Sequence, residues 1–274
     1  MPVPADDAGR RHNVHLQLAR VAIPGLRTRG FTLTELAVVL AIVGLLIGGA
    51  MMTLSAQVEQ RNYDETRKRL DAAVEALIGF AIANRRLPCP ATAGTTGDEA
   101  PAGGGSCTTY YGGFLPARTI GLQTVDPQGY ALDAWGNRIG YAVSGVAPTG
   151  CTGTNTPPHF TSMANLKANG VSCRPNDIDV CLSVTGTAPP SCNSSANRAV
   201  SSSTAAVVVY SIGKNGAVAS AYGPDEAANV NGDAMFISRT PSDATSAAGT
   251  YDDVVVWIPV GVLYGRLISA GVLP

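Results

Sequence analysis

The chain has 274 residues, with 19 basic and 20 acidic side chains and a formal net charge of −1. So balanced a charge offers no basic field for phosphates, which argues against nucleic acid as a direct partner. The length suffices for one sizeable soluble domain besides a membrane segment.

Residues 1–30 read as a polar leader. It contains Pro2, Pro4 and Pro24 and the arginines Arg10, Arg11, Arg20, Arg27 and Arg29, so no stable fold is expected there. Clustered arginines ahead of an apolar helix hold the leader on the cytoplasmic side and send the remainder outward. The leader carries five basic and two acidic residues. Without it the chain has 244 residues, 14 basic and 18 acidic side chains and a net charge of −4.

Residues 31–54 follow as an apolar run in which Glu35 is the only charged residue. As a helix these residues would extend roughly 36 Å, enough to cross a hydrocarbon core of ~30 Å. A carboxylate in such a segment is costly and marks a functional residue whose partner should be sought. A secretory signal places its apolar core before the cleavage site; here a basic leader and Gly30 come first, and the apolar helix second.

Gly30-Phe31-Thr32-Leu33-Thr34-Glu35, in that setting, resembles the type IV prepilin signature. The resemblance implies cleavage between Gly30 and Phe31 by a prepilin peptidase, which also N-methylates Phe31. It assigns Glu35 to subunit assembly, pairing with the Phe31 amine of a neighbour. The partners implied are the peptidase/methyltransferase, other pilin or pseudopilin subunits and an inner-membrane assembly platform. The head would lie in the periplasm until the subunit is extracted into a filament. The ordinary alternative is a single-span anchor.

No proline occurs from Phe31 to Leu87. Over Gln57 to Asn84, the residues Leu70, Ala73, Val74, Leu77, Ile78, Ala81 and Ile82 recur at helical spacing, a core-facing stripe with charged residues on the other faces. One helix of about 50 residues is expected, as the resemblance also implies. Gly44 and Gly48 form a GxxxG pair, which permits close helix approach. Leu87-Pro88-Cys89-Pro90 ends the helix, and residues 91–106 are a loop by composition.

Leu132 to Tyr141 resembles the turn of type II secretion major pseudopilins that leads into the first strand of the head. Trp135 would anchor that turn in the core, with Gly136-Asn137 supplying backbone freedom; a sugar-binding pair of Asp133 and Trp135 is the alternative. Residues 144–203, rich in Ser, Thr, Gly, Asn and Pro, are expected to form a disulfide-stapled insertion in which only Ile178 to Val184 reads as a strand. His159 is the only histidine beyond the leader, and no serine sits in a G-x-S-x-G setting, so no hydrolase site is expected.

Cys89, Cys107, Cys151, Cys173, Cys181 and Cys192 all lie beyond the apolar run, as suits an oxidising compartment. They contain no CxxC, a poor pattern for zinc. Six cysteines allow 15 connectivities; Cys89–Cys107 is the favoured pair because both flank one loop, and the other four stay open.

Ala205 to Ile212 is a buried strand by its β-branched density, followed by a hairpin turn at Asn215-Gly216. Lys214 lacks the glycine spacing of a phosphate loop. Tyr210 to Gly213 and the following acidic loop resemble the calcium loop of major pseudopilins. That resemblance makes Asp225, Glu226, Asn229 and Asp233 the possible oxygen ligands; a solvated acidic loop is the plainer alternative. Ala234 to Ser238 and Val254 to Ile258 read as strands, with Trp257 in the core, and Val260 to Ala270 as a short helix.

The expected fold is α+β: a long N-terminal helix, its first half transmembrane, on an antiparallel sheet of four or five strands. The domains are a leader (1–30), a transmembrane or filament-core helix (31–54) and a helix continuation with a globular head (55–274) carrying the 144–203 insertion. The expected function is structural rather than enzymatic: a minor pilin or pseudopilin of a type IV pilus or type II secretion-like filament. The rival is a filament-tip binding protein that uses 144–203.

Overall fold

The computed structural model describes residues 30–145, 158–200 and 204–273, leaving aside the side chains of 50–54. The leader, except Gly30, is outside the described residues. The chain divides into a first unit ending at Thr53 and a second starting at Leu54.

In the first unit the described residues begin helix α1 (Leu33–Asn84). Leu36, Val39, Leu40, Ile42, Leu45, Leu46 and Ile47 are each at least half exposed there. A helix apolar on every side is not at rest in water; it belongs in a core, a bundle or a membrane. Counted over the described residues, no helix is long and apolar enough to cross a membrane. Their side chains cover the run only to Gly49, and residues 50–54, which complete it, are outside them.

In the second unit α1 is amphipathic. Leu70, Ala73, Leu77, Ile78 and Ala81 are buried, with Val74 and Ile82 packed beside them. The helix stops at Asn84, where Arg85 takes φ 57°, three residues before the Leu87-Pro88 step.

After it come β1 (Gly113–Phe114), β2 (Gly140–Val143), α2 (Met163–Asn169), β3 (Asp179–Cys181) and β4 (Ala205–Ser211). The chain ends through α3 (Pro224–Asn229), β5 (Met235–Ile237), β6 (Val254–Pro259) and α4 (Val260–Ser269). The main sheet has four antiparallel strands in the order β1-β2-β4-β6. On one face Tyr141, Val143, Val207, Val209, Val256 and Ile258 pack with Leu70 and Leu77 of α1 and Leu263 and Leu267 of α4. On the other face Ala142, Val208, Tyr210 and Val255 meet Ile178, Val180 and Phe236. Strand β4 is therefore buried at all seven positions. Burial on both faces explains an unbroken apolar run in place of alternation.

Several expectations are corrected. Strands β3 and β5 do not join the antiparallel sheet but pair with each other in parallel, Asp179 opposite Met235. A three-residue apolar segment does not reveal its partner's direction. The first strand of the head is β1, ahead of the Leu132–Tyr141 turn. Asn215-Gly216 form no hairpin, because β4 pairs with β2 and β6 and the chain goes on through a 3-10 turn (Ala219–Ala221) to α3. Within the segment expected as an insertion, Phe160 and Leu166 pack in the core with α1, and Ile178 and Val180 cover the sheet. Residues 146–157 and 201–203 of that segment are outside the described residues.

The Leu132–Tyr141 turn is held by Asp133 rather than by Trp135. Buried Asp133 Oδ1 accepts from the backbone N–H of Trp135 (2.9 Å) and Asn137 (2.8 Å), and Oδ2 from Ser211 Oγ (2.6 Å). Trp135 is half-buried, edge-on to Tyr63 of α1 at 5.0 Å. Trp257 is likewise half-buried, at the margin of the core.

The expected Cys89–Cys107 disulfide is present, and Cys181 pairs with Cys192. Cys173 is also disulfide-bonded; Cys151 is outside the described residues.

Candidate functional site

Gly30 and Phe31 precede α1 in non-helical backbone, and Phe31 is 86% exposed. Gly30 is exposed as well. Thr32 caps the helix immediately after it. Its N–H and its hydroxyl both donate to Glu35 Oε2 at 2.9 Å, and Glu35 N–H donates back to Thr32 Oγ1 at 3.2 Å. This reciprocal capping box satisfies helix-end donors that otherwise have no partner within the helix. Thr32 was legible as the start of a T-x-x-E pattern.

The four residues expected to hold calcium do not converge. Asp225 is buried, but its Oδ2 pairs with Arg239 Nε at 2.6 Å and its Oδ1 accepts from Val184 N–H at 2.7 Å. Asn229 bridges strands, donating to Asp253 Oδ2 (2.7 Å) and accepting from Ile237 N–H (2.6 Å). Asp233 caps Met235 N–H at 2.8 Å. Only Glu226 joins a carboxylate cluster, and its companions are Asp252 and Asp253.

One oxygen each from Glu226, Asp252 and Asp253 lies within 4.8 Å of the others. Three segments bring them together: α3, whose first turn holds Glu226; the lead into β6, which holds Asp252 and Asp253; and the turn after β4, which holds Asn215. Glu226 fixes the arrangement, accepting from Asp252 N–H (2.7 Å), Gly223 N–H (2.7 Å) and Asn215 Nδ2 (2.9 Å). Gly213, at φ +62°, lies so close to Asp252 that a Cβ there would collide with its carboxylate. Asp252 and Asp253 are adjacent in sequence but 26 and 27 residues from Glu226, so sequence spacing alone did not gather them.

Burial raises both aspartates. Asp253 is pushed up to about 8, mainly by desolvation, with Glu226 and Asp252 adding to the rise and the Asn229 hydrogen bond opposing it. Asp252 is pushed up to about 6 by desolvation and then by Glu226. Ionised carboxylates this close repel in a poorly solvated site.

His159 is buried. Its Nε2 lies 2.9 Å from Tyr264 Oη, which itself donates to the Cys173 carbonyl, so the shared hydrogen is on the imidazole. Desolvation lowers His159 to about 4.

Residues 26–51 match the prokaryotic N-terminal methylation motif. This end of the chain is type IV prepilin-like, with the motif that marks a prepilin peptidase substrate. No curated protein and no solved structure matches the chain.

Proposed function

We propose that the chain is a subunit, a minor pilin or pseudopilin, of a type IV pilus or type II secretion-like filament. The observation that carries this reading is a methylation motif at 26–51 whose helical part, from Leu33 on, leaves its apolar side chains exposed. Residues 31–54 hold the subunit in the inner membrane, with its head in the periplasm, until the assembly platform extracts it. Cleavage after Gly30 creates the Phe31 amine, and Glu35 pairs with that amine on a neighbouring subunit. Removing one partner of such a pair in an apolar bundle leaves an uncompensated charge, which enforces register. The role is structural rather than catalytic.

A specific observation favours a second reading, that of a tip-located binding subunit. A cleft of about 680 Å³ is lined by Tyr111, Asp177, Asp179, Pro190, Arg198 and Asp233, largely from the segment expected as an insertion. Its size suits a small ligand.

The experiment expresses Glu35→Leu and follows both processing and recovery in sheared filaments. Normal cleavage with incorporation reduced by two orders of magnitude or so is expected from the cost of about 3–5 kcal/mol. Normal recovery of the variant would remove the pairing mechanism. Copy number separates the readings, since a tip subunit does not repeat along a filament.

A further inference from the structure

We infer that the free edge of β6, where it runs beside α1, takes up an extended segment of another protein as an added strand, one whose sequence places a basic residue two positions before an acidic one. The inference does not depend on the filament reading.

Strand β6 closes the main sheet, paired with β4 on one side and with no strand on the other. In an antiparallel pair, alternate residues turn their N–H and C=O groups away from the partner. Those of Val254 to Ile258 bond to nothing else among the described residues. Such an edge is a template for another chain, and proteins commonly guard it with charge; Val254-Val255-Val256-Trp257-Ile258 carries none. The edge also forms the floor of a groove. Two adjoining cavities of about 230 and 320 Å³ run along it, with Arg67, Asp71 and Val74 of α1 on one side and Ser238 and Pro241 on the other. An extended chain laid there would add its backbone bonds to β6 and its side chains to the groove.

Two charges choose the occupant. Arg67 lines both cavities, and Asp71 stands one helical turn further on. Both are exposed, and neither makes a hydrogen bond or ion pair among the described residues. Four helical residues rise about 6 Å and two strand residues about 6.7 Å. One strand can therefore set a carboxylate against Arg67 and a cation against Asp71 with a single residue between them. Tyr63 and Asp64 share a cavity with Val254, and Asp71 and Val74 with Trp257, so α1 and β6 run in the same direction. A strand that continues the antiparallel sheet meets Asp71 first, which fixes its order as basic, any, acidic. In this chain that order occurs only at Arg69 to Asp71, inside α1, so the occupant comes from another protein rather than from a second copy.

The test adds a dye-labelled peptide, Thr-Val-Lys-Val-Glu-Val-Thr, to the full chain in detergent and follows its anisotropy. Saturable binding of one peptide per chain is expected. The peptide with lysine and glutamate exchanged should bind at least tenfold more weakly, because two attractive contacts become repulsive. The double variant Arg67→Glu with Asp71→Lys, both on the exposed side of α1, should reverse that preference. N-methylation of one alternate set of the peptide's backbone amides should abolish binding, and of the other set leave it intact. No binding up to about 1 mM, a preference that the double variant leaves unchanged, or indifference to N-methylation would overturn the inference. So would self-association of the chain that displaces the peptide, since the edge would then belong to a second copy.

Discussion

Arg86 and Glu99 form a buried two-pronged ion pair, Nη1 to Oε2 at 2.8 Å and Nη2 to Oε1 at 2.6 Å. Glu99 also accepts from the backbone N–H of Cys89 (3.1 Å) and Gly103 (3.1 Å). One carboxylate thus orders the Gly-, Ala- and Thr-rich loop behind α1 and holds it beside the Cys89–Cys107 disulfide. Arg86→Leu would leave Glu99 buried and unpaired, at a cost of about 3–5 kcal/mol. Glu99→Gln in that background should recover part of the loss by removing the buried charge, with the amide oxygen still serving one of the two N–H donors, which bond to different carboxylate oxygens. Urea denaturation of both variants checks this; a cost below 1 kcal/mol or so for Arg86→Leu, within the range of exposed pairs, would contradict it.

The aspartates set a pH dependence. Folding raises Asp253 from 3.8 to about 8 and Asp252 from 3.8 to about 6. The folded chain therefore holds these protons more tightly than the unfolded chain does. Their contribution to stability is complete below about pH 4 and is lost as pH rises through 6 and then 8. In ion-free buffer, wild type should lose melting temperature relative to Asp253→Asn across that window. The tyrosines that face Asp253, Tyr63, Tyr210, Tyr222 and Tyr251, are raised and remain neutral there. A difference that stays flat or reverses sign would refute the burial argument.

Gly140 in β2 lies opposite Tyr210 of β4, and a Cβ at Gly140 would collide with the Tyr210 ring. That ring packs on Phe236 at 5.4 Å, beneath the β3–β5 pair. Gly140→Ala should therefore cost roughly 1–3 kcal/mol, the range for overpacked cores. Thermal melting checks it, and an unchanged melting temperature would show that the ring can move aside freely.

Non-reducing peptide mapping should recover Cys89 with Cys107 and Cys181 with Cys192. Breaking the first by Cys107→Ala should destabilise by about 2–5 kcal/mol. Free thiols at Cys89 and Cys107 in oxidised material would contradict the pairing.

The parts of this fold legible in sequence are those with a long period or a dense composition. The stripe from Leu70 to Ile82 marks the buried face of α1, and the run from Ala205 to Ser211 marks the central strand. What sequence could not show depends on distant segments meeting. Asp179 and Met235 pair in parallel across 56 residues, and no local pattern encodes that register. The cluster of Glu226, Asp252 and Asp253 was missed for the same reason: acidic residues close in sequence, from Asp225 to Asp233, suggested a site, but the fold sends Asp225 to Arg239 and Asp233 to a strand end. The Thr32–Glu35 box is written in the sequence as T-x-x-E, and it gives Glu35, expected to pair with a neighbour, a local partner as well.

The central claim, that this is a processed prepilin-like subunit, is tested most directly by the intact mass of the protein recovered from membranes of cells with an active prepilin peptidase. The account predicts a chain starting at Phe31 with one added methyl group, and an unprocessed chain for Gly30→Leu. A wild-type chain that keeps its leader, or that is cut at any bond other than Gly30–Phe31, would contradict it.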